Sequence, residues 1–77
     1  MAMKEVLEVI AKSLVDNPDE VVVTEEVKDD AVVLKLNVAQ SDMGKVIGKS
    51  GRIAKAIRRV INAAASHDKT KVIVDIG

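Results

Sequence analysis

The sequence predicts an α+β domain: a three-stranded mixed sheet with three helices on one face, in the order α-β-β-α-α-β. Three observations carry that expectation. Apolar residues recur at spacings of three and four in two stretches, they alternate with polar residues in two others, and the glycine-bracketed turn Gly48-Lys49-Ser50-Gly51 separates a short helical segment from a long one. A chain of 77 residues is sized for one domain, residues 1–77, that buries only about 60–65% of the surface its unfolded form exposes, so the core is small.

The elements follow in order. Met3, Val6, Leu7, Ile10, Ala11 and Leu14 repeat at helical spacing with Lys4, Glu5, Glu8 and Lys12 opposite, and Asn17-Pro18 ends that helix. Val21 to Val27 is rich in β-branched residues and reads as a strand, with Lys28-Asp29-Asp30 as a turn. Ala31 to Val38 alternates, with Val32, Leu34, Leu36 and Val38 on one face, and pairs with the preceding strand as an antiparallel hairpin. Gln40 to Ile47 reads as one short helix with Ser41 as N-cap and Asp42 in the first turn; Gly44 weakens it, so something must compensate.

From Arg52 a second, longer helix begins. Ile53, Ile57, Val60, Ile61 and Ala64 form its apolar side, and Arg52, Lys55, Arg58, Arg59 and Asn62 fall between them on a basic outer face. Ser66 to Thr70 is a polar loop, and Lys71 to Ile76 is a last strand with Val72, Val74 and Ile76 inward. Two helices between the second and third strands make a crossover, which places those strands parallel.

The turn between the two helices is where chemistry concentrates. Gly48 and Gly51 remove two Cβ atoms, so the backbone can turn sharply and approach another backbone, and the free amides and positive dipole end of the long helix point out of the turn toward an anion. Residues 1–30 hold nine acids against three bases (−6) and residues 31–77 nine bases against three acids (+6), so a chain of zero net charge is a dipole. From Gly44 to Arg59 there are six cations, Lys45, Lys49, Arg52, Lys55, Arg58 and Arg59, and no acid. A charge run of this kind is often a solvated helix face, but cations converging on a glycine loop favour phosphate binding. A bare G-x-x-G can also be a helix C-cap glycine followed by a turn. A nucleotide-binding P-loop would share Gly48-Lys49-Ser50, yet it needs a glycine where this chain has Met43 and a strand where a short helix leads in.

Composition removes other classes. Cysteine is absent, which excludes disulfides and thiolate metal sites, and His67, the one histidine, is expected in an exposed loop where it supports neither zinc nor a nucleophile relay. No carboxylate pair, nucleophile–base pair or metal cluster stands out, so neither an enzyme nor a cofactor is expected. Neither a signal peptide nor an apolar run of spanning length is read in the sequence, so a soluble, cytoplasmic chain with no membrane contact is expected. With no Phe, Tyr or Trp, the chain cannot stack bases on aromatic rings as RRM and OB-type binders do.

Ile47-Gly48-Lys49-Ser50-Gly51-Arg52-Ile53 between two helices resembles the motif of the KH domain, whose G-x-x-G loop clamps the backbone of about four nucleotides. The length, the Asn17-Pro18-Asp19-Glu20-Val21 junction and the run Asp42 to Lys49 resemble the small bacterial one-domain KH proteins of the KhpA type, along the whole chain. That resemblance implies the type II KH fold and a single-stranded RNA-binding protein that acts as an RNA chaperone or adaptor. It implies a groove between the glycine loop with its helices and the sheet edge with the loop at Ser66 to Thr70. Gly48 and Gly51 would let phosphates approach, Lys49 and Arg52 would supply charge and Ser50 a hydrogen bond, with Lys45, Lys55 and Arg59 as further cations around them. Ile47, Ile53 and Ala56 would floor the groove under the bases, although Ile53 suits the helix core equally well. It also implies self-association, or pairing with a larger multidomain RNA-binding protein that carries its own KH domain, and Ile61, Ala64 and Ala65 are the apolar patch expected to serve that contact. The alternative is a protein-interaction or dimerisation module with a KH fold and weak or no RNA binding.

Overall fold

A computed structural model describes residues 3–67 and 70–76. Helix α1 (Met3–Leu14) is followed by a 3-10 turn (Pro18–Glu20), strands β1 (Val22–Lys28) and β2 (Ala31–Asn37), a 3-10 turn (Gln40–Asp42), helix α2 (Met43–Ile47), a 3-10 turn (Lys49–Gly51), helix α3 (Arg52–His67) and strand β3 (Lys71–Ile76). The order α-β-β-α-α-β is the one the sequence predicts. In the sheet β2 is central; it pairs antiparallel with β1, from Val22 opposite Asn37 to Lys28 opposite Ala31, and parallel with β3, from Ala31 beside Lys71 to Leu36 beside Ile76.

The core lies between one face of the sheet and the helices. Val23, Leu34, Leu36, Val72 and Val74 meet Leu7 and Ala11 of α1, Val46 of α2, and Ile57, Ile61 and Ala65 of α3. On the opposite face Val22 and Ile73 remain half exposed. Alternation of side chains along each strand produces this division.

Helix α3 is turned relative to its expected packing. Its buried residues are Ala54, Ile57, Ile61 and Ala65, the last three in the core beneath the sheet, whereas Val60 is 51% exposed. At about 100° per residue this stripe is rotated roughly 60° from the one marked by the larger residues. Ala65 has a small side chain that lets the helix lie close on the sheet, and the bulkier Ile53 and Val60 are turned toward α1, where both line a groove with Ile10 and Leu14. The patch expected to bind a partner is corrected by the same rotation: Ile61 is fully buried and Ala65 is 1% exposed, so both belong to the core.

Two boundaries also differ. Residues 40–47 do not form one helix but a 3-10 turn followed by α2, and Ser41 is not its cap: Ala39 and Asp42 hold the two N-cap positions and neither makes a side-chain cap. Helix α3 continues through Ser66 and His67, expected as loop, with the Ser66 hydroxyl donating to the Ala63 carbonyl at 2.9 Å. Of that expected loop, residues 68 and 69 lie outside the described residues.

Candidate nucleic-acid interface

The G-x-x-G turn is defined by its backbone. Gly48 has φ 75° and ψ 173°, Ser50 φ 59° and ψ 25°, and Gly51 φ 73°, so three of four consecutive residues leave the right-handed region. The Gly48 conformation is one that only glycine adopts readily. A Cβ there would also stand 2.6 Å from Cγ1 of Ile53, so the turn is closed against the first apolar residue of α3. At Gly51 a Cβ would meet nothing within 4 Å; its glycine answers to φ alone. The Gly48 N–H donates to the Gly44 carbonyl at 2.8 Å and ends α2, and the Gly51 N–H donates to the Gly48 carbonyl at 3.2 Å. Lys49 and Ser50 are exposed at the tip, and the N–H of Arg52, the first residue of α3, donates to the Lys49 carbonyl.

Helix α2 is only five residues long and contains Gly44, so its position must be held from outside. Val46 anchors it in the core, and Asp42, 1% exposed, holds its start. Its Oδ2 accepts from the Asn17 N–H and from Asn17 Nδ2, both at 3.0 Å, and its Oδ1 accepts from the Asp16 N–H at 3.3 Å and from Lys45 Nζ at 3.5 Å. The Val15 N–H still donates to the Ala11 carbonyl, and the Asp42 bonds satisfy the next two amides, Asp16 and Asn17, and tie that junction to the start of α2. Burial alone would raise the Asp42 carboxyl, but the Asn17 side chain, the Asn17 and Asp16 amides and Lys45 outweigh it and hold it below its ordinary 3.8. The sequence pointed to Asp42 only as a first-turn acid; the demand for compensation at Gly44 was the signal that something nearby had to grip.

The structure spreads the expected site residues over three surroundings. Lys49, Arg52, Lys55 and Arg59 are exposed and, among the described residues, have no acidic partner. Arg52, Lys55 and Arg59 share the outer face of α3, while Arg58 turns the other way and donates from Nε to the Val74 carbonyl of β3 at 3.3 Å. Lys45 is ion-paired with Asp16, and the hydrogen bond to Asp16 raises its ammonium above the ordinary 10.5. Ile47 and Ile53, partly buried, pack against the core at the two ends of the loop. Ile53 and Ala56 also line an almost wholly apolar groove of about 400 Å³ with Ile10, Leu14, Arg52, Ile57 and Val60, between α3 and α1. Sequence periodicity had placed Val60 inside and so missed this surface.

A βααβ unit whose helices are joined by a G-x-x-G turn, preceded by a helix and a strand on a sheet with parallel β2 and β3, defines the type II KH class. A family model described as "KhpA/KhpB, KH domain" matches residues 4–76. The chain belongs to that family. It is 61% identical over 74 residues to the RNA-binding protein KhpA of Clostridium acetobutylicum, covering 96% of this chain and 99% of that one. The proteins of the same name from Clostridium perfringens and Caldanaerobacter subterraneus are 57% and 54% identical over 74 residues, again across 96% of this chain and 99% of theirs.

Proposed function

We propose that the protein is a non-catalytic, cytoplasmic binder of single-stranded RNA, an RNA chaperone or adaptor that clamps the RNA backbone with Gly48-Lys49-Ser50-Gly51. The carrying observation is the loop itself: a backbone that only glycine can adopt at Gly48, closed on Ile53, with Lys49 and Ser50 exposed at its tip. Phosphates meet amides and the cations Lys45, Lys49, Arg52, Lys55 and Arg59, and Ser50 adds a hydroxyl donor. Ile47 and Ile53 offer aliphatic surface beside the loop in place of the missing aromatic platforms. The naming of the relatives as RNA-binding proteins supports this reading.

Replacing Lys49 and Ser50 together by Asp tests it. Both residues are exposed, and Asp tolerates the left-handed backbone at position 50, so the fold persists while RNA affinity falls at least tenfold, about 1.4 kcal/mol. With three or four phosphates neutralised, log affinity against log salt has a slope of roughly −2 to −3 in the unaltered protein. Equal titrations for both proteins would refute the clamp.

A second reading, compatible with the first, is favoured by the α1–α3 groove: the domain pairs with a second copy or with a larger KH-containing RNA-binding protein. One G-x-x-G loop covers about four nucleotides, and linking two raises effective concentration enough to tighten binding by about 10²-fold or more. Val60, half exposed on the groove, is the position to test. Val60→Glu leaves the monomer folded and removes association by sedimentation; a wild type that is monomeric at tens of micromolar would refute pairing with itself.

A further inference from the structure

Among the loop-side cations Lys45 stands apart, because it alone is already bound to an acid among the described residues. It lies on α2 three residues before Gly48, less than one helical turn from the start of the loop. We propose that Lys45 is an exchangeable arm: Asp16 holds it in the free protein, an RNA phosphate takes it in the complex, and Asp16 thereby sets the affinity of the loop. This rests on the reading of the loop as an RNA clamp.

The geometry supplies both halves of the exchange. The Asp42 carboxylate is buried and must keep its partners, but three N–H donors at 3.0–3.3 Å come from Asp16 and Asn17, and Lys45 is the longest of its contacts at 3.5 Å. Lys45 can therefore leave without orphaning a buried charge. Asp16 is different: its side chain is 77% exposed, so when Lys45 departs its carboxylate is hydrated by surrounding water. Exposed pairs hold weakly, and a lysine ammonium on a four-carbon stem reorients easily. Because the Asp16 amide is pinned to Asp42, the Asp16 carboxylate is presented at a set place beside α2, where it stands in for the phosphate that Lys45 would otherwise seek. An approaching RNA must displace it, and a stray anion with no further contacts to the loop gains too little to do so.

A four-way comparison tests the exchange: wild type, Asp16→Asn, Lys45→Gln and the double variant, each titrated with a short single-stranded RNA. Asp16→Asn tightens binding by about threefold at low salt, Lys45→Gln weakens it by a similar factor with a salt slope shallower by roughly 0.7, and Asp16→Asn has no effect once Lys45 is gone. A readout without RNA accompanies these: the Lys45 ε-methylene, followed by NMR, titrates above the ordinary lysine range in the wild type and returns to it in Asp16→Asn. Tightening by Asp16→Asn that persists without Lys45 makes Asp16 a bulk charge and overturns the proposal, as does an unmoved Lys45 titration or a Lys45→Gln variant that binds like the wild type. Should the Lys49 and Ser50 double-Asp variant bind normally while wild type binds, the clamp reading fails on its own account; a wild type that binds no RNA overturns both. Melting curves confirm that all four proteins are folded.

Discussion

Two tight turns in this protein each hold a non-glycine residue at positive φ, Asp29 at 49° in the β1–β2 hairpin and Ser50 at 59° in the G-x-x-G loop, yet they are supported in opposite ways. The hairpin turn is two exposed residues between paired Lys28 and Ala31, and the strand ladder that runs back from it over seven residue pairs compensates its strain. The loop has no ladder. Its neighbours Gly48 and Gly51 are themselves at positive φ, Ile53 closes on Gly48, and at the far end of α2 the buried Asp42 grips residues 25 and 26 positions away. A turn that only reverses the chain can lean on generic backbone pairing; a turn that must present amides and cations is built from specific side-chain contacts, and strain collects there.

The largest expected effect separates the two glycines of the loop. Gly48→Ala meets both a backbone region reserved for glycine and the Ile53 side chain, and should cost about 3 kcal/mol, more than about 10 °C in melting temperature for a domain of this size. Gly51→Ala meets only the left-handed penalty, about 1–2 kcal/mol. Denaturant melts that gave equal losses would show that closure on Ile53 contributes nothing.

Asp42→Asn comes next and carries a pH dependence. The folded carboxyl lies below its ordinary 3.8, so its contribution is present above that value and is lost as pH falls through the lowered folded value. The wild type should therefore lose melting temperature below about pH 4, while Asp42→Asn starts lower by more than about 5 °C and changes less over the same interval. Parallel curves would remove Asp42 as the charged grip on α2. Smallest is Asp29→Gly: relief of left-handed strain is offset by the greater freedom of the unfolded chain, and stability should move by less than about 0.5 kcal/mol. A loss above about 1 kcal/mol would mean that the hairpin turn too relies on a specific side chain, and would end the contrast.

Much of this was legible in the chain. The two periods, 3.6 and 2, located α1, α3, β2 and β3 within a few residues, because burial on one face leaves that imprint on each element separately, while β-branched content marked β1 and turn chemistry marked the short helix before the loop. Gly48 and Gly51 marked the loop, and the run of six cations without an acid marked its surroundings. What periodicity could not rank was Ala54 and Ala65 against Val60: hydrophobicity favours the valine, while close packing of a helix on its neighbours favours the alanines.

By itself, then, the sequence determined the order of elements, the pairing of β2 with β3 in parallel and the site of the glycine loop, since local propensity, turn chemistry and the crossover rule need no knowledge of distant contacts. Only the tertiary structure decided that Ile61 and Ala65 are core, that Val60 lines a groove with α1, and that Asp42 is a buried grip with Asn17 while Asp16 holds Lys45. The physical reason is that burial and charge pairing belong to pairs of residues. Asn17 and Asp42 are 25 positions apart, and no pattern within either segment could state that they meet.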